Sequence, residues 1–109
     1  MTEITVWSRR GRLVGFDAIG HTGYAEEGED IVCAAVSAIT QTAVIGITEV
    51  IKAPCALDVS DGELHLMLEK SVKGKQFEQA ELILRTMLAG LRSIETDYSD
   101  YLKLEKREV

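Results

Sequence analysis

Residues 31–48 carry no charged side chain, while Asp30 and Glu49 flank them and Lys52 is the nearest positive charge. A run of that length and hydropathy either crosses a membrane or forms a core helix. Ser37, Thr40, Gln41, Thr42 and Thr48 interrupt it with polar groups, and its acidic flanks lack the cationic bias of a membrane span. The run therefore predicts a central helix buried on most sides. Asp30 serves as its N-cap, the helix continues to about residue 51, and Pro54 closes the segment. The rest of the chain must supply a surface for this helix to lie on.

That surface is a sheet. Residues 4–9 alternate, with Ile4, Val6 and Ser8 on one face and Thr5 and Trp7 on the other. Arg10-Gly11 makes a turn, and residues 12–20 alternate again with Val14, Phe16 and Ala18 together, giving a β-hairpin. Residues 57–60 and 63–69 form a second hairpin around Asp61-Gly62, with Leu64, Leu66 and Leu68 opposite His65 and Met67. From Gln76 onward Phe77, Ala80, Ile83, Leu84, Met87, Leu88, Leu91 and Ile94 recur at helical period, and residues 101–105 alternate as a last strand. The order is ββαββαβ. It predicts an α+β fold, a mainly antiparallel sheet with two helices packed on it. With 109 residues the chain supports one core, so residues 1–109 are read as a single domain.

A formal net charge of −6 disfavours direct nucleic-acid binding, which needs a basic face, and suits a basic protein partner. Residues 1–4 show no basic region followed by an apolar stretch, so the expected location is cytoplasmic, with no membrane association. Cys33 and Cys55 are too few and too far apart for a disulfide framework or a zinc site, and no cofactor-binding loop is present.

Chemistry concentrates between His21 and Cys33. A cysteine in the first turn of a helix capped by Asp30 meets backbone N–H groups without intrahelical acceptors, which favour a thiolate. Asp30, Cys33 and Ser37 share one helix face by spacing. His21 ends a strand and opens the surface loop 22–29, from where it can reach the helix start as a base. Cys33 can equally be a small buried hydrophobe, and His21 an exposed strand-end residue. Ser37 either hydrogen-bonds within the site or bonds back to the Cys33 carbonyl. Asp30 caps the helix, orients His21, or both. His65 faces away from any cysteine motif, and Cys55 follows Pro54 in a linker as an incidental or structural thiol.

Gly20-His21, Gly28 and Asp30-Ile31-Val32-Cys33-Ala34-Ala35-Val36-Ser37 together resemble the motif of the bacterial ribosomal-processing cysteine protease family, Prp. The likeness extends through Ala80-Glu81-Leu82-Ile83-Leu84-Arg85-Thr86-Met87-Leu88 to Leu91, Ile94 and Tyr98, and so covers essentially the whole chain. It implies a small cytoplasmic protein, generally a homodimer. Such a protein removes a short N-terminal extension from a large-subunit ribosomal protein, cutting after a pair of phenylalanines. The family's nucleophile and base fall on Cys33 and His21, its Asp and Ser positions on Asp30 and Ser37, and its motif glycines on Gly20 and Gly28. Thr22 departs from the pattern, in which alanine commonly follows the histidine.

The mechanism so implied is peptide hydrolysis through an acyl-enzyme, with amides at the helix start, that of Cys33 included, as oxyanion donors. Two other readings compete with it. One is a non-catalytic acidic dimeric module that binds a basic ribosomal protein or assembly factor. The other is a redox-sensing thiol.

Overall fold

The structure, a computed structural model, describes residues 1–20 and 27–109, with side chains of the first helix described from residue 30. His21 and the expected loop as far as residue 26 lie outside the described residues. Five strands form one sheet: β1 (Thr2–Arg9), β2 (Arg12–Ile19), β3 (Cys55–Ser60), β4 (Glu63–Leu68) and β5 (Leu102–Glu108). Helix α1 (Glu27–Ile45) follows the first hairpin and α2 (Gly74–Tyr98) the second. The element order is the expected one, with boundaries shifted by a few residues.

The strand order is β3-β4-β2-β1-β5. Its pairs are antiparallel except β1 with β5, which run parallel from Thr2↔Leu102 to Ser8↔Glu108. Both hairpin turns use the glycines that the sequence offers. Arg10 and Gly11 take φ of 53° and 79°, the positive angles of a tight hairpin turn, and Gly62 takes 76°. A bulge between Trp7 and Ser8 breaks the β1–β2 register, and Leu13 and Val14 are both buried although adjacent in sequence.

Strand parity decides which face meets the helices. Ile4, Val6, Phe16, Leu66, Leu68 and Leu102 are buried against Val32, Val36, Ala43 and Ile47 of the first helical segment and Ala80, Leu84, Met87 and Leu91 of α2. At about 1.5–3 kcal/mol for each large apolar side chain fully removed from water, this layer dominates the stability. The second helix follows its predicted apolar stripe.

The first helix departs from expectation in three ways. It is already helical at Glu27, so Asp30 is inside it and is not the N-cap. Acidic residues suit the first turn as well as the cap, so Asp30 did not single out the starting point. Its last part is a π-helical turn (Gly46–Val50), closed by the Ile51 amide donating to the Gly46 carbonyl at 2.9 Å. Lastly, it is buried along one face only. Ile31, Ile45 and Val50 point outward, Val50 with 76% of its surface exposed. Small residues and threonines dilute the run enough for it to coat a sheet with one side and leave the other open. On that open side Ala38, Ile39, Thr42, Gly46, Ile83 and Thr86 line an apolar groove of ≈ 750 Å³ between the two helices.

Candidate functional site

At one end of the sheet β1 starts, β2 finishes and the β3–β4 turn closes. Gly20 donates its amide to the Gly62 carbonyl at 2.8 Å, fastening two of these ends together. Helix α1 crosses the same end and brings Cys33 to it. A cavity of ≈ 280 Å³ opens there, lined by Thr2, Gly20, Cys33, Ser37, Thr40 and Gly62 among others. Cys33 is half-buried, and its Sγ lies 3.2 Å from Thr2 Oγ1. The arrangement presents a thiol to a small open cavity with a hydroxyl at its side.

Helix α1 already runs from Glu27, so Cys33 has more than one full turn of helix before it at about 3.6 residues per turn. Its amide belongs to the helix interior, and the pull of the helix terminus fades beyond the first turn. The expectation that Cys33's own amide is a free oxyanion donor is thereby corrected.

The other sequence candidates fall as follows. Ser37 lines the cavity one turn beyond Cys33, and its Oγ accepts from Gln41 Nε2 at 2.6 Å. The back-bonding considered for Ser37 is made instead by its neighbours, with Thr40, Thr42 and Thr48 donating to the carbonyls of Val36, Ala38 and Val44. Gly20 lines the cavity, and the next residue along the chain is His21, outside the described residues. Gly28 lies within α1, not in a loop, and Asp30 is exposed.

Cys55 opens β3 away from the cavity. Burial, and secondarily the Glu69 carboxylate, push its thiol pKa up. His65 sits on the sheet face remote from the helices, as its parity requires, and donates from Nδ1 to Asp17 Oδ1 at 2.8 Å. Among the described residues no three His, Cys, Asp or Glu side chains gather to hold a metal.

Sequence reasoning missed Thr2 and Gln41. For Thr2 a signal existed: the parity that turns Ile4 and Val6 inward turns Thr2 inward as well, toward the layer that contains Cys33. For Gln41 the signal was its i+4 spacing from Ser37.

A family model described as Cysteine protease Prp matches residues 1–103. The Ribosomal processing cysteine protease Prp of Staphylococcus aureus (strain Mu50 / ATCC 700699) is 34% identical over 105 residues, covering 94% of this chain and 93% of that one. The crystal structure of an essential ribosomal processing protease Prp from S. aureus with a substrate peptide superposes with a TM-score of 0.87 at 26% identity, covering 98% of this chain and 100% of that one. The same protease with a covalently linked product peptide gives a TM-score of 0.82 at 27% identity, with coverage of 98% and 100%. Matched along nearly its whole length, in sequence and in fold, the chain belongs to the Prp family of cysteine proteases.

Proposed function

We propose that this chain is a cytoplasmic cysteine endopeptidase of ribosome maturation. It removes a short N-terminal extension from a large-subunit ribosomal protein, with Cys33 as nucleophile and His21 as general base. The observation that carries this reading is the Cys33 sulfur at the wall of an open cavity. The S. aureus relative solved with a covalently linked product peptide supports nucleophilic chemistry at such a site.

His21 takes the thiol proton, and the sulfur lone pair attacks the scissile carbonyl carbon. The resulting oxyanion collapses, the C–N bond breaks, and His21 returns the proton to the leaving amine. Water, deprotonated by His21, then attacks the thioester and releases the new carboxylate together with free Cys33. Gly20 shapes the cavity edge, Ser37 supports its wall, and Asp30 and Gly28 belong to the stretch of α1 that leads to Cys33. The net charge of −6 favours encounter with a basic ribosomal protein.

The working form is a homodimer in which a second copy covers the groove between the helices. Leu82 and Val50, 65% and 76% exposed, supply apolar contact area beside it. Leu82→Glu should give a monomer by sedimentation.

The deciding experiment is incubation with a peptide spanning the extension, followed by mass spectrometry. Two fragments are expected from the parent protein, and a rate lower by at least about a thousandfold from Cys33→Ala. Cleavage by Cys33→Ala at the parent rate would remove Cys33 from the mechanism.

A further inference from the structure

We infer that Thr2 is a positioning residue for Cys33: its hydroxyl donates a hydrogen bond to Sγ and fixes the direction from which the thiolate faces the cavity. The inference rests on the reading of Cys33 as the nucleophile. Thr2 is only 4% exposed, and a buried hydroxyl without a partner is costly. Among the described residues the partner of Thr2 Oγ1 is the sulfur, at 3.2 Å. Valine would fill the same volume without that requirement, so the hydroxyl's contribution at this position lies in the bond it makes.

The hydroxyl is held by the strand that carries it. The Thr2 amide donates to the Tyr101 carbonyl at 2.9 Å, and Thr2 stands in register with Leu102 of β5. A β-branched side chain on a pinned backbone has few rotamers available. A neutral thiol is a weak acceptor, whereas a thiolate accepts a short, charge-assisted bond. The contact therefore strengthens as the proton leaves the sulfur. It supplies a side-chain donor at Cys33, whose own amide lies in the helix interior.

The test uses the full chain in a Cys55→Ala background, so that alkylation by iodoacetamide reads Cys33 alone. Thr2→Val should alkylate about tenfold more slowly near neutral pH, with its rate–pH profile displaced to higher pH. Thr2→Ser should stay within about threefold of the parent. On the extension peptide, Thr2→Val should lower kcat with little change in KM. Alkylation of Thr2→Val at the parent rate across the pH range would overturn the inference, as would a Thr2→Ser variant as slow as Thr2→Val. If Thr2→Val does not fold, Thr2→Ala is read by the same profile and the same criteria. Alkylation does not require proteolysis. Loss of the nucleophile assignment through the Cys33→Ala cleavage assay would thus be distinct from loss of the Thr2–Cys33 bond.

Discussion

Asp17 joins Trp7 and His65 across three strands: its Oδ2 accepts from Trp7 Nε1 at 2.9 Å and its Oδ1 from His65 Nδ1 at 2.8 Å. The cluster lies on the sheet face away from the helices, where Asp17 and His65 stand opposite each other in the β2–β4 register. The hydrogen bond that His65 donates to Asp17 is the main cause holding the histidine's pKa above 6.5. Partial burial opposes it, and the charges of Asp17, Glu63 and Asp58 add to it.

A folded-state pKa above the unfolded one stabilises the fold fully below about 6.5, and the contribution fades as pH rises through the raised value. Asp17→Asn should therefore be most destabilised relative to the parent under mildly acidic conditions. The gap should narrow toward alkaline pH, leaving the Trp7 contact as the residual difference. Because His65 is partly exposed the effect is small, and urea unfolding at several pH values measures it. Trp7 is the single tryptophan, so its fluorescence should titrate with His65. A pH-independent difference between parent and variant would count against the linkage.

Gly15→Ala should be among the most damaging changes to the sheet. A Cβ there would sit 2.3 Å from the Leu66 carbonyl oxygen and 3.0 Å from Met67 Cα, both backbone atoms of β4. The expected loss is about 3 kcal/mol in chemical denaturation. Gly46→Ala meets only Ile83 Cδ1, at 2.8 Å, the far end of a flexible side chain, and should cost less than about 1 kcal/mol.

Glu81 accepts from the Leu13 amide at 2.8 Å beside the β1–β2 bulge and pairs with Arg12 at 3.4 Å. Glu81→Ala should cost about 1–2 kcal/mol, chiefly through the amide. Arg12→Ala should cost less than about 1 kcal/mol, because the guanidinium is half-exposed and its remaining contact is the Phe77 ring at 4.4 Å. Equal losses in denaturation midpoints would argue against this division.

Cys55→Ala should cleave the extension peptide within about twofold of the parent, since Cys55 opens β3 outside the cavity. A severe loss of cleavage would place an unrecognised role on the second thiol.

Local rules made most of the fold legible. The alternation in β1, β2 and β4, the turns at Arg10-Gly11 and Asp61-Gly62, and the apolar stripe of α2 each follow from contacts a few residues long. What depends on distant partners was not legible. Nothing near residue 102 says that β5 pairs parallel with β1, and nothing local to Asp30 decides whether it caps α1 or lies inside it. The site divides the same way. Cys33, Ser37 and Gly20 stood out by spacing, and the structure brings them to one cavity. Thr2 escaped notice because its partner lies 31 residues away.

The parallel pairing of the first and last strands also sets a timetable. Thr2 is anchored by Tyr101 and Leu102, which leave the ribosome almost a whole chain later than Thr2 itself. A nascent chain can form both hairpins and α1 early, since domains assemble from the N-terminus as synthesis proceeds. Until β5 arrives, however, the start of β1 lacks its outer neighbour and the hydroxyl beside Cys33 has no fixed seat. The wall of the Cys33 cavity is thus a late product of synthesis, assembled from two strands about a hundred residues apart in the chain.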